Sequence, residues 1–219
     1  MRTVSRKHNN RFRERLATSR VVAALRGEEA AWFPDAALAA HDAGLRVLEV
    51  DLATPGALDA IGTLQVELDE DALIGAGGVR TVSAVDRCAA AGVDFVATTG
   101  FWPDVLWRAE EYALPIVCGA LTPTEIDAAW RYGPAAVRVF PVGTSGGVRY
   151  LEEVRAALPE VPLVPAGGIA LSDVDDYLAT GAVAVGVASA LFGDALDGGR
   201  LDDLARRASR LAAIADRYA

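Results

Sequence analysis

Two carboxylates and one guanidinium carry the chemistry this chain offers on first reading. Glu49 and Asp51 stand two residues apart in the apolar run Arg46-Val47-Leu48-Glu49-Val50-Asp51-Leu52. Strand alternation puts both on one face. Paired carboxylates can share a proton, exchange one with a carbon acid, or hold a divalent cation during enolisation. The other reading is an ion-pair network with Arg26, Arg80 and Arg138. Arg138 lies in the middle of Ala135-Ala136-Val137-Arg138-Val139-Phe140-Pro141, an apolar, β-branched stretch closed by a proline that cannot donate to a ladder. A guanidinium stays protonated and is expensive to bury alone, so it must meet a carboxylate or face a polar centre. There it either grips a carboxylate or enolate in a bidentate fork, or it neutralises Glu49.

Further candidates are weaker one by one. Gly167-Gly168, with Ser189, would let backbone N–H groups approach a phosphate or carboxylate; a tight turn needing positive φ is the alternative. Trp102 could stack an apolar part of a substrate or simply cover a cavity mouth. Cys118 has no histidine near it to activate a thiol and reads as buried and inert. His8 and His41 show no metal-ligand spacing, and His41 is expected at the surface of a helix. The reading calls for no metal and no cofactor.

Composition bounds what these groups can belong to. The chain has 219 residues, enough for one substantial core or a small barrel and short for two domains. Although 52% of residues are hydrophobic, no apolar run is long enough to span a membrane, and no apolar segment follows the basic start as in a signal peptide. Cys88 and Cys118 do not make a disulfide framework, so a cytoplasmic protein is expected. Residues 1–20 carry seven basic side chains against Glu14; taking that +6 from the net charge of −9 leaves −15 on the body. An acidic body repels nucleic acid. The basic start, residues 1–17, reads as a partly disordered leader running into a surface helix, and residues 18–219 as the folded domain. Lys7 is the only lysine in the chain.

The elements that must position the candidates follow a repeating pattern. Apolar runs at 21–25, 46–52, 72–76, 95–99, 115–118, 136–140, 162–165 and 182–187 read as strands, each followed by a helical stretch. Helix signals include Thr54-Pro55-Gly56, Thr81, the capping box Thr122-Pro123-Thr124-Glu125, and Ser172; a helix over 28–43 contains an awkward Pro34. Strands buried on both faces and alternating with helices call for a parallel sheet. Eight such units predict an α/β fold of the (β/α)₈ TIM-barrel type in a single compact domain. Arg138, Glu49 and Asp51 then project inward near the catalytic end.

With the strands laid out, the chain resembles the 2-keto-3-deoxy-6-phosphogluconate and 4-hydroxy-2-oxoglutarate aldolase family over about residues 18–195. The resemblance rests on Leu25-Arg26-Gly27, Leu48-Glu49-Val50, Thr54-Pro55-Gly56-Ala57-Leu58, Gly75-Ala76-Gly77, Thr122-Pro123-Thr124-Glu125-Ile126, Phe140-Pro141, Gly167-Gly168-Ile169 and Gly181-Ala182-Val183-Ala184-Val185-Gly186. It implies a class I aldolase barrel, typically trimeric, that binds a 2-oxo acid as a Schiff base to lysine while a glutamate shuttles protons. Glu49 matches that glutamate, and Gly167, Gly168 and Ser189 match the phosphate-binding loops. Arg138 stands where the Schiff-base lysine belongs, and a guanidinium is not a nucleophilic amine. Ala53 replaces the family's substrate-binding arginine, Gly78 its threonine, Thr98-Thr99 its Ser-Pro, Cys118 its proline, and Val142-Gly143 its Ala-Glu.

The expectation is a rebuilt site: catalytic Glu49, Arg138 and Asp51, with Arg26, Gly78, Thr99, Trp102, Gly167, Gly168 and Ser189 binding a small anionic substrate, in a homotrimer. Lyase- or isomerase-type chemistry through an enolate, without a Schiff base, is the leading reading. The alternatives are a non-catalytic anion-binding or scaffold barrel and a metal-dependent aldolase using Glu49 and Asp51.

Overall fold

The eight apolar runs become eight parallel strands in a computed structural model that describes residues 3–219. In chain order the elements are α1 (Thr3–Ser19), β1 (Val21–Leu25), α2 (Phe33–Asp42), β2 (Val47–Asp51), α3 (Ala57–Glu67), β3 (Leu73–Gly77), α4 (Val82–Ala90), β4 (Phe95–Ala97) and α5 (Pro103–Glu111). There follow β5 (Ile116–Ala120), α6 (Pro123–Arg131), β6 (Ala136–Val139), α7 (Gly147–Ala157), β7 (Leu163–Pro165), α8 (Val174–Ala179), β8 (Val185–Val187), α9 (Ser189–Phe192) and α10 (Leu201–Ala215). Each strand from β1 to β6 pairs in parallel with the next, and β1 also pairs with β8. The seam between β7 and β8 is closed by a single bridge, Ala166 to Gly186. A Cβ on Gly186 would lie 2.9 Å from that of Ala166, so the bare backbone lets the seam approach. This is a (β/α)₈ barrel.

The interior is filled in layers. At the N-terminal end of the strands, Val22, Val47, Leu73, Phe95, Val117 and Val164 form a buried cluster with Phe12 and Leu16 of α1. Gly75 makes room for the Phe95 ring, which would sit 2.2 Å from a Cβ there. The second, larger cluster fills the space between strands and outer helices.

The basic start therefore differs from the expected leader. From Thr3 it is helical, and Phe12 and Leu16 are buried against the bottom of the barrel. Arg13 donates to the carbonyls of Ala135 (2.5 Å) and Pro134 (2.9 Å), and Asn9 to that of Gly133 (3.0 Å). These bonds hold the segment that enters β6, the strand carrying Arg138. Arg2 lies outside the described residues. His41 is also not at the surface: it is buried, with Nε2 2.9 Å from Asp71 Oδ1.

Three helix starts depart from expectation. Residues 28–32 stay non-helical, and α2 begins at Phe33 with Pro34 in its first turn, where a missing N–H is harmless. Thr54 does not cap α3; its hydroxyl is engaged with the backbone of Gly27, at 3.3 Å, and Gly56 at φ 82° takes the cap position. Ser172 lies within a 3₁₀ turn, Leu171–Asp173, ahead of α8. Thr81 and the Thr122–Glu125 capping box do cap α4 and α6.

Candidate active site

The C-terminal ends of the strands open into a cavity of about 150 Å³. Its lining brings together Glu49 and Asp51 from β2, Arg138 from β6, Arg26 after β1, and Gly78 and Thr99 after β3 and β4. Gly167, Gly168 and Ser189, after β7 and at the start of α9, line the same cavity. Trp102 does not line it. It starts α5, half-buried, with the Arg80 guanidinium 5.7 Å from its ring centroid. A Trp102 ring atom would lie 3.0 Å from a Cβ on Gly100, so the indole covers the β4 loop instead.

Glu49 and Arg138 face each other across the barrel as a bidentate pair. One guanidinium nitrogen, Nη1, donates to Oε1 at 2.8 Å, and Nη2 donates to Oε2. Only 7% of the Arg138 side chain and 5% of that of Glu49 are exposed. Burial alone would lower the Arg138 pKa, but the Glu49 carboxylate, and Asp51 behind it, outweigh that and hold it above its ordinary value. Arg138 Nε is buried without a partner among the described residues.

Asp51 is the freer carboxylate. Its Oδ1 accepts the Ala53 N–H at 2.9 Å, and Oδ2 lies 3.6 Å from Nε of Arg26, whose side chain is 70% exposed. Register explains why the two acids sit side by side: Glu49 and Asp51 pair with Gly75 and Gly77 of β3. A Cβ on Gly77 would lie 2.4 Å from Glu49 Oε1, and one on Gly78 2.5 Å from Asp51 Oδ1. Two adjacent glycines thus leave the space that two carboxylates fill. Gly77 was not foreseen as part of the site; its signal was the double glycine at a strand end. Of the network expected around the acids, Arg138 and Arg26 take part, and Arg80 faces Trp102 instead.

Loop packing accounts for a further pair of differences from the resembled family. The Gly143 N–H donates to the Gly167 carbonyl at 2.9 Å, and a Cβ on Gly143 would fall 2.2 Å from the Gly168 carbonyl oxygen. A glutamate at that position would not fit this loop. Thr98 is fully buried; it donates to the Gly100 carbonyl at 2.7 Å and accepts the Gly119 N–H at 2.9 Å. Burial pushes the Cys118 thiol up to about 12, which keeps it protonated. Among the described residues no group of three or more His, Cys, Asp and Glu side chains could hold a metal ion.

A family model, the KDPG and KHG aldolases, matches residues 12–206, from α1 into α10. The chain belongs to that family. It is 34% identical over 169 residues to a KHG/KDPG aldolase of Escherichia coli K12, an alignment covering 75% of this chain and 79% of that protein. It is 35% identical over 136 residues to a 2-dehydro-3-deoxy-phosphogluconate aldolase of Treponema pallidum, covering 62% of this chain and 64% of that one. In structure it is similar to a KDPG aldolase of Legionella pneumophila captured with pyruvate as a covalent carbinolamine (TM-score 0.82, 26% identity, 91% and 97% coverage). No helix among the described residues is long and apolar enough to cross a membrane.

Proposed function

We propose that this chain is a lyase- or isomerase-type enzyme that passes through an enolate of a small carboxylate or phosphate substrate without forming a Schiff base. The observation that carries the reading is the buried Glu49–Arg138 pair in the cavity, with Asp51 beside it. Arg138 offers no free electron pair to a carbonyl, and Lys7, the sole lysine, lies in α1 at the opposite end of the barrel. Glu49 takes the proton from the carbon next to the substrate carbonyl and returns it. Arg138, still protonated, offsets the negative charge that develops on the oxygen. Gly167, Gly168 and Ser189 receive the anionic group. The enzyme works in the cytoplasm as a homotrimer, which light scattering tests; a stable monomer at micromolar concentration would count against the trimer.

Full engagement of both Glu49 oxygens by Arg138 also suits a second reading, a non-catalytic barrel in which the pair is structural. Exchange of substrate C–H protons with deuterated water separates the two, using dihydroxyacetone phosphate and pyruvate as probes. A proton-moving enzyme loses about 10²–10⁴ in exchange rate with Glu49→Gln, because glutamine keeps the shape without the basicity. Equal rates in both proteins would remove Glu49 from the chemistry, and no exchange in either would favour the structural barrel.

A further inference from the structure

The charges at the inner end of the cavity balance before any substrate arrives. Glu49 holds both terminal nitrogens of Arg138. The third nitrogen of that guanidinium, Nε, is enclosed by protein. Asp51 is accompanied by Arg26, which stands at the solvent rim. Ala53 contributes a backbone N–H, and Asp51 Oδ1 already occupies it. A carboxylate entering here would be a third anion beside two cations, one locked to Glu49 and the other at the solvent rim, next to a Glu49–Arg138 pair that is almost fully buried.

A hydroxyl or a neutral carbonyl meets the opposite situation. Among the described residues Asp51 Oδ2 has only the loose Arg26 contact, at 3.6 Å, and can accept an O–H. Each Arg138 terminal nitrogen carries a second N–H beyond the one given to Glu49, able to donate to a hydroxyl or carbonyl oxygen. A hydroxyl is donor and acceptor at once, which suits carboxylates flanking a guanidinium; a carboxylate can only accept. The bare Gly78 keeps Asp51 in this position, since a side chain there would collide with Oδ1.

Resting on the reading of this cavity as the catalytic site, we infer that its inner end selects a neutral, hydroxyl-bearing reacting group and rejects a carboxylate. The substrate class is then a phosphorylated hydroxy-ketone or hydroxy-aldehyde, with its phosphate toward Gly167 and Gly168, and not a 2-oxo acid. Asp51 is the specificity-determining residue.

The test uses the full chain and a matched pair of probes, dihydroxyacetone phosphate and 3-phosphoglycerate, with inorganic phosphate and pyruvate as controls, in titration calorimetry at pH 7.5. Dihydroxyacetone phosphate should bind on the order of 10²-fold more tightly than 3-phosphoglycerate, and pyruvate should not bind measurably. Asp51→Asn should narrow that gap by about 10-fold while leaving the affinity for inorganic phosphate unchanged. The wild-type ratio stands by itself should the variant fail to fold. Equal binding of the two phosphates, tighter binding of 3-phosphoglycerate or pyruvate, no binding of dihydroxyacetone phosphate, or a gap untouched in folded Asp51→Asn would each overturn the inference. Binding of dihydroxyacetone phosphate without deuterium exchange would leave it standing and sink the catalytic reading. Exchange on tightly bound pyruvate would do the reverse.

Discussion

Arg138→Met should be among the most damaging single changes to stability, and the size follows from the pair's burial. With 5% of the Glu49 side chain exposed, the substitution leaves a largely buried carboxylate without its guanidinium partner. Breaking one partner of a buried ion pair costs about 3–5 kcal/mol. For a chain of this size each kcal/mol lowers Tm by about 2–4 °C, giving a fall of roughly 6–20 °C. Removing both charges together, Glu49→Leu with Arg138→Met, should cost far less than the two single changes combined, because buried pairs are often replaced by apolar groups at little loss. Urea unfolding of the wild type, both singles and the double completes the cycle, with a predicted coupling of at least about 3 kcal/mol. Additive singles, each below about 1 kcal/mol, would refute the claim that these groups depend on each other.

Other outcomes follow from the same packing. Phe12→Ala and Leu16→Ala, which empty the bottom of the barrel, should each cost about 2–5 kcal/mol in urea unfolding, whereas a dispensable leader would leave stability unchanged. Burial pushes Cys88 up to about 11 and Cys118 up to about 12, so iodoacetamide at pH 8 should label neither until denaturant is added. Rapid labelling of the native chain would contradict that burial. Gly78→Thr should destabilise doubly, through the positive φ of 66° and through collision with Asp51. Combined with Asp51→Ala it should recover part of the loss, and a strictly additive pair would show that the two do not touch.

The strands were legible because a barrel strand is buried on both faces and so writes itself as a continuous apolar run. The same logic exposed Glu49, Asp51 and Arg138, charged residues where only apolar ones belong without a reason. Glu49 as the partner of Arg138 was one of two readings of that residue, but that Arg26 and not Arg80 would stand beside Asp51 was not legible. β2 and β6 are not neighbours in the sheet, so their side chains meet only through the barrel interior, a distance that closure sets and sequence spacing does not. Local capping signals succeeded where the side chain had no competing partner, as at Thr81 and Thr122. They failed at Thr54, whose hydroxyl is taken by the backbone of Gly27. Trp102 shows the limit of reading a loop: its type fits a substrate platform, but its ring turns to Arg80 and Gly100. Only their neighbours reveal that Gly77 and Gly143 are each bare to admit something else.

The most direct measurement of the central claim is borohydride reduction in the presence of pyruvate, followed by peptide mass mapping of the wild type and of Arg138→Lys. The account predicts no reduced adduct on any barrel residue of the wild type, because none of the described residues lining the cavity carries an amine. The lysine variant supplies that amine, and an adduct at its position 138 shows that the trap reports on the site. A mass shift mapped to a barrel residue of the wild-type chain would contradict chemistry without a Schiff base.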